Sequence, residues 1–349
     1  MTVFGETGYT ISALFAPEHG LWGASQDQVK EDGFLDQRTG LKVFSLYGRH
    51  KKPTRAMLKD VDAVVFDVQD IGTRFYTFVW TMVLAMQSCA ASGRKFIVLD
   101  RPNPLNGRDL EGPVLDLAFR SFVGLYPVPI RHGLTAGELA LFIRAKYLPK
   151  LDLSIIKMQG WRRSMWFDQT GLPWVMPSPN MPSLDTAAVY PGMCLFEGTN
   201  VSEGRGTTRP FEVFGAPWID PYELEEVLRR YRPAGIFLRP LFFRPTFHKF
   251  KGQVCGGLQI HVTDRTRFKP VLTAVAILQA IRQLYPGKFA WLRPPYEDEK
   301  RRRPFDILTG TASLRHAIDR RTPLSTIERS WHALLQVFKK EAKRWLLYS

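Results

Sequence analysis

Residues 61–100 read VDAVVFDVQDIGTRFYTFVWTMVLAMQSCAASGRKFIVLD, and this stretch decides the fold class. Two short runs rich in β-branched and aromatic residues, VDAVVFD at 61–67 and KFIVLD at 95–100, each close on an acid. Neither alternates apolar with polar, which is the pattern of strands covered on both faces, as in a parallel sheet. Between them RFYTFVWTMVLAMQSCAASG, 74–93, has the length and apolar content of a packed crossover helix closed by Gly93. Parallel neighbours cannot be joined by a tight hairpin, so strand, helix, strand predicts a βαβ unit.

Upstream, residues 9–16 read as a further strand inside ISALFAPEHGLWG, 11–23, which stops at Pro17 and delivers Glu18, His19 and Gly20 into a loop. Downstream, Thr135 and Glu138 stand three apart before LALFIRAKYL, the signature of a capping box at a helix start. LDLSIIKM at 151–158 is another strand, followed by a segment carrying Trp161, Trp166 and Trp174 and then by PSPNMPS at 177–183. Prolines at 177, 179 and 182 forbid a helix there and predict a rigid extended connection. We place the domain boundary in it, giving a parallel-sheet α/β domain over 1–180 and a second domain over 181–349.

The second half has a different texture. Residues 197–217 are Gly-, Thr- and acid-rich with little apolar periodicity and predict a long loop, kept ordered by its aromatic residues. A helix near 221–231, short strands around 235–243, an alternating strand GLQIHVTD at 257–264, a helix over 270–284 and a last helix starting near Thr322 make this half α+β. The chain shows no internal repeat and no low-complexity tract.

With 349 residues and 45% hydrophobic content the chain can bury a sizeable core. Lys plus Arg exceed Asp plus Glu by 48 to 33, a formal charge of +15 that favours anionic partners: nucleic acid, acidic lipid or a cell-wall polymer. Basic runs such as Lys300 to Arg303 and Lys339 to Arg344 read as solvated faces. Cys89, Cys194 and Cys255 have no metal-like spacing and sit in apolar sequence, as small buried residues do. No stretch reaches the ~18 uninterrupted apolar residues of a membrane span. The first ten residues lack the basic start and apolar run of a signal peptide.

Glu18, Asp67 with Asp70, and Asp100 each follow an apolar run. In an open α/β sheet the carboxyl ends of the strands share one edge, where ligands bind, so these acids can converge. Each alone also fits an N-cap or an arginine partner, Asp70 with Arg74 and Asp100 with Arg101. Carboxylates converging on one cleft, one of them held protonated, are what glycosidic bond cleavage needs. The motifs of competing chemistries are absent: there is no G-x-G-x-x-G, P-loop, G-x-S-x-G elbow or H-E-x-x-H. In EGRGTT, 203–208, glycines let backbone approach a ligand and Arg205 offers a planar fork to a carboxylate. Trp22, Phe75, Tyr76 and Trp218 are candidates to stack on a sugar ring.

Taken together, LFAPEHGLWG at 14–23, SLYG at 45–48, FDVQDIGTRFYTF at 66–78, LDRPNPLNG at 99–107, EGP at 111–113, RHGLTAGELA at 131–140, PSPNMPS, the run from Tyr190 to Trp218 and the terminal LLY resemble the NamZ-type exo-β-N-acetylmuramidases of peptidoglycan turnover. The resemblance covers nearly the whole chain. It implies a Rossmann-like amino-terminal domain, a smaller carboxy-terminal domain, and a cleft between them that removes N-acetylmuramic acid from non-reducing glycan ends. It points to Glu18 as general acid/base; beside it the residues themselves suggest His19 to tune or orient it and Asp67, Asp70 or Asp100 to stabilise charge or hold the sugar hydroxyls, Asp67 and Asp70 being the catalytic candidates. The matching motifs carry as substrate-binding candidates Arg74, Tyr76, Asp100, Arg101, Asn103, Arg131, His132, Asn180, Glu197, Asn200, Glu203 and Arg205. Arg205 or Arg131 would take the lactyl carboxylate.

The expected partners are muramyl glycans, with no nucleic acid, no membrane span, no metal and no organic cofactor. The compartment implied is extracytoplasmic. A substrate-assisted route through the 2-acetamido group stays open. Family members carry an additional strand and helix before the LFAPEHG strand, and this chain starts later, which predicts an exposed sheet edge. The alternative reading is a non-catalytic peptidoglycan-binding protein.

Overall fold

The computed structural model describes residues 8–26, 29–30 and 32–349. The βαβ unit forms as the sequence predicts. Strands β4 (Ala63–Phe66), β5 (Lys95–Leu99) and β8 (Leu153–Ile156) make a parallel sheet in the order β4–β5–β8, with Phe66 beside Val98 and Phe96 beside Leu153. Helix α1 (Phe78–Ser92) is the first crossover; Trp80, Met82, Val83 and Met86 on it are fully buried, so it is apolar almost all round. Gly93 ends it in the left-handed region, its N–H returning to Cys89 O. The helix starts four residues later than Arg74, because residues 74–77 form a turn whose side chains serve other purposes.

Helix α2 (Ala136–Tyr147) has the expected capping box: Thr135 Oγ1 accepts from Glu138 N, and Glu138 Oε2 accepts from Thr135 N. The Thr135 hydroxyl also donates to Asp100 Oδ2, and Gly137 N donates to Asp100 Oδ1. Thr135→Ala is therefore expected to cost about 1–2 kcal/mol, read from urea titration. A loss under ~0.5 kcal/mol would show that the cap contributes nothing of note.

The strand expected at 9–16 is β1 (Ala13–Ala16), and it does not join that sheet. It pairs in parallel with β3 (Lys42–Ser45), whose other side carries the short antiparallel β2 (Phe34–Leu35). The acid-tipped strands are thus divided between two sheets, and the shared edge expected of them does not form. Strands β6 (Glu111–Val114) and β7 (Pro129–Arg131) add a small antiparallel pair.

The second half is α+β. Strand β9 (Val213–Ala216) pairs with β11 (Cys255–Val262), and β11 with β10 (Ile236–Phe243), all antiparallel. Helices α3 (Leu184–Met193), α4 (Pro221–Tyr231) and α5 (Pro270–Leu284) supply buried residues to the same core. The long loop predicted for 197–217 is shorter and more regular than expected: Cys194–Gly198 is a turn of 3₁₀ helix, Ser202 bridges to Gly215, and β9 follows. Its polar composition hides a strand because Gly215 lies flush on Gly256, whose carbonyl a Cβ would meet at 2.2 Å.

Two short helices, α6 (Pro304–Thr309) and α7 (Ser313–Asp319), precede the last, α8 (Leu324–Ala342). This amphipathic helix returns to the first half and buries Phe338 and Ala342 in its core, Phe338 edge-on to Phe142. The terminal LLY follows, with Tyr348 Oη donating to Asp100 Oδ2 at 2.7 Å and Leu347 N to Glu138 Oε1. Not all of the basic runs are solvated: Arg302 is held by Glu299 and donates to the carbonyls of Ala118 and Arg120. All three cysteines are free and buried. Among the described residues no helix is long and apolar enough to cross a membrane.

Candidate active site

The loop after β1 turns sharply at His19 and Gly20, with φ of 72° and 76°. A histidine in the left-handed region needs support, and His19 Nδ1 lies 2.8 Å from Ser25 O. A carbonyl only accepts, so Nδ1 carries the proton and a neutral His19 keeps Nε2 as its acceptor. This turn points Glu18 inward, 6% exposed, where the Thr77 hydroxyl donates to its Oε2 at 2.6 Å. Thr77 precedes α1, so Glu18 faces the helix end that carries positive partial charge.

Glu18 and His19 form one wall of a cleft with about 490 Å³ of space not filled by atoms, part of it open to solvent. Tyr76 and Phe75, from the turn before α1, line it beside them. Ser178 and Asn180 of the proline-rich connection close one end, and Asn180 Nδ2 donates to Gln26. The opposite wall comes from the second half: Glu197, Arg205, Phe211, Tyr296 and Glu297.

Arg205 is aimed by its glycine neighbours. Gly204 and Gly206 both have φ of 81°, and a Cβ on either would meet a carbonyl at 2.4 or 2.6 Å, Val213 O or Phe247 O. The guanidinium sits 4.9 Å over the Phe211 ring, with Nη2 2.7 Å from Glu197 Oε1 and Nε 3.6 Å from Glu203 Oε1. Glu197 Oε2 accepts from Tyr296 Oη at 2.7 Å. Behind this layer Glu203, fully buried, takes Lys249 Nζ at 2.8 Å and His248 Nδ1 at 3.0 Å. Despite the cost of burial, Lys249, the bond from His248 and Arg205 hold its carboxyl well below the usual range.

Seven of the residues expected from the sequence stand around the cleft: Glu18, His19, Phe75, Tyr76, Asn180, Glu197 and Arg205. The others lie elsewhere, each for a visible reason. Asp67 is at the surface, paired with Arg101 at 2.6 Å, so neither reaches the cleft and the expected Asp100–Arg101 pair does not form. Asp100 is spent on the start of α2 and on Tyr348. Asp70 is buried behind the cleft wall, accepting from Gly72 N at 2.7 Å, with His132 Nε2 at 3.8 Å. Burial pushes the Asp70 carboxyl up to about 7 and pulls the His132 imidazole down to about 3, so at neutral pH the histidine carries no charge.

Arg74 does not pair with Asp70; it donates to the carbonyls of Pro113, Val128 and Leu308. Asn103 bonds Leu134 O and Leu105 N, Arg131 bonds Leu105 O and Asp109, and Asn200 bonds Lys288 O and Ala290 N. These are ties between loops. Trp22 is exposed, and Trp218 packs on Tyr285 outside the cleft.

Sequence reasoning missed Thr77, Ser178, Tyr190, Tyr296 and Glu297, which line the cleft. It also missed Tyr47, whose hydroxyl donates to Glu297 Oε2 at 2.8 Å. Tyr47 and Thr77 sit inside quoted motifs, SLYG and FDVQDIGTRFYTF, and Ser178 inside PSPNMPS; Glu297 had no signal beyond a carboxylate in PPYEDE. Among the described residues no group of three His, Cys, Asp or Glu is arranged to hold a metal. The cleft therefore offers several carboxylates, aromatic faces and one guanidinium, a set suited to acid/base chemistry on a polar, anionic ligand.

Comparison with known proteins gives a consistent result. The family model described as exo-beta-N-acetylmuramidase NamZ, N-terminal, matches residues 1–185, and its C-terminal counterpart matches residues 188–348. The peptidoglycan beta-N-acetylmuramidase NamZ of Bacillus subtilis (strain 168) is 46% identical over 338 residues, 97% of this chain and 80% of that protein. Two crystal structures of DUF1343 family proteins from Bacteroides fragilis NCTC 9343 share the fold. One has a TM-score of 0.87 at 33% identity, covering 100% of this chain and 89% of that one. The other has a TM-score of 0.75 at 30% identity, covering 99% and 88%.

Proposed function

The chain belongs to the exo-β-N-acetylmuramidase NamZ family, and from that premise we propose that it is a glycoside hydrolase releasing N-acetylmuramic acid from the non-reducing ends of peptidoglycan fragments. The observation that carries the reading to residues is a cleft with a buried glutamate on one wall and a buried arginine on the other.

Glycoside hydrolysis needs a proton for the leaving oxygen and stabilisation of a developing oxocarbenium ion. Glu18 acts as general acid/base, fixed by the Thr77 hydroxyl at one oxygen. His19, with Nε2 as acceptor, orients the sugar or the water beside it. Arg205 takes the lactyl carboxylate that distinguishes N-acetylmuramic acid from N-acetylglucosamine. Its planar fork, already shared with Glu197, suits bidentate capture of a second carboxylate. Tyr76 and Phe211 supply apolar faces to the ring.

The decisive test is release of N-acetylmuramic acid from an N-acetylmuramyl-N-acetylglucosamine disaccharide by the purified protein. Binding of muropeptides without any release would sink the enzymatic reading. Arg205→Lys is expected to raise KM for this disaccharide by about 10- to 100-fold while kcat changes less, since a charge-assisted bidentate contact is replaced by a point charge. Steady-state kinetics check this, and an unchanged KM would remove Arg205 from substrate binding.

A further inference from the structure

Residues 294–299, PPYEDE, form a tight turn in which Tyr296 N donates to Glu299 O and Glu299 N to Tyr296 O, both at 2.9 Å. Three consecutive side chains fasten this turn, the first to its own wall and the next two across to the first half. Tyr296 Oη donates to Glu197, Glu297 Oε2 accepts from Tyr47 Oη, and Asp298 lies 3.5 Å from Lys51 and 3.7 Å from Lys30. Lys51 in turn sits 3.6 Å over the Tyr47 ring. Glu297 itself is left-handed, φ 51°, a conformation that a non-glycine residue keeps only when its surroundings impose it. The outcome is a carboxyl group brought from the second half into the cleft that Glu18 lines from the first.

We propose that Glu297 is the second catalytic carboxylate of the cleft, protonating the leaving glycosidic oxygen and leaving Glu18 the base half of its acid/base role; the inference rests on the glycosidase reading above. In the reaction the bond between the anomeric carbon and the glycosidic oxygen breaks, and its electron pair stays on the oxygen, which takes the Glu297 proton. The oxygen of one water bonds to the anomeric carbon, and the proton that water loses goes to Glu18. Proton exchange with solvent then returns Glu297 to its acid form and Glu18 to its carboxylate.

The surroundings of Glu297 support the division of labour. The groups that face it are the Tyr47 hydroxyl and Lys51, which favour its charged form, and Glu18 and Glu197, which oppose it. Burial first, and then the charge of Glu18, push its carboxyl up to about 7, so that a large fraction of it still carries a proton near neutral pH. Glu18, by contrast, meets the Thr77 hydroxyl at the positive end of α1. Two carboxyl groups in one cleft with different surroundings are the arrangement by which enzymes separate an acid from a base.

The test compares wild type, Glu297→Gln and Glu297→Asp on two substrates: the muramyl–glucosamine disaccharide, whose leaving alcohol needs a proton, and para-nitrophenyl N-acetylmuramide, whose leaving phenolate does not. Glu297→Gln is expected to lose at least about 100-fold in kcat on the disaccharide but only about 5-fold or less on the nitrophenyl glycoside. The wild-type fall in kcat/KM as pH rises through about 7 should vanish in Glu297→Gln and persist, at lower rate, in Glu297→Asp. Equal losses on both substrates overturn the proposal, because a merely structural residue would not distinguish leaving groups; so does an unimpaired Glu297→Gln. If wild type releases N-acetylmuramic acid from neither substrate, the glycosidase reading itself falls and this proposal with it. An active wild type with an indifferent Glu297 overturns only the assignment made here.

Discussion

Glu18→Gln is expected to lower kcat on the muramyl–glucosamine disaccharide by about 1,000-fold, within the range contributed by a positioned acid or base, with KM little changed. Glutamine has nearly the shape of glutamate and still offers a carbonyl oxygen to the Thr77 hydroxyl, so the turn at His19 and the start of α1 should keep their geometry. What is lost is the capacity to take or give a proton. The same variant carries a second readout. The Glu18 charge is one of the causes that raise the Glu297 carboxyl, so removing it should move the alkaline limb of the pH profile to lower pH. Full activity in Glu18→Gln would end the assignment.

The largest effect on stability is expected from Arg74→Met, about 3–5 kcal/mol, measured by chemical denaturation. Arg74 is fully buried and, among the described residues, pairs with no carboxylate; its guanidinium instead donates to Pro113 O and Val128 O at 2.8 Å and to Leu308 O at 2.7 Å. Burial pulls it down to about 9, which still leaves it charged at neutral pH. Leu308 belongs to α6 in the second half, whereas Pro113 and Val128 belong to the first, so one side chain joins the two across their interface. Methionine fills much of the volume but takes this donor from all three carbonyls; Val128 O keeps the bond from Leu115 N, and a buried carbonyl left unsatisfied costs ~1–3 kcal/mol. A loss below ~1 kcal/mol would mean that water replaces the guanidinium at little cost.

Arg74 also shows where reading a sequence stops. Its motif, FDVQDIGTRFYTF, flags the segment, and nothing in the residue type separates an arginine that binds substrate from one that binds three carbonyls. Asp67, Asp70 and Asp100 illustrate the same ambiguity. All three follow strands, yet one pairs at the surface with Arg101, one is buried near His132 and one caps α2. An acid at a strand end is a local fact. What it faces is set by which sheet the strand joins, and β1 joined a different sheet from β4 and β5.

By itself the sequence determined the local architecture, because hydrophobic period, capping residues, glycine and proline act over a few residues. The βαβ unit, the Thr135–Glu138 box, α5 and the presence of a loop carrying Glu18 were all legible on that scale. Only the tertiary structure decided the composition of the cleft. Glu18 and Glu297 stand far apart in the chain, and Tyr47 bonds a residue 250 positions away. Contacts of that range leave no periodic trace, because one side chain at each end suffices to make them. The place of Glu297 in the cleft therefore came into view only when the two halves were seen folded against each other.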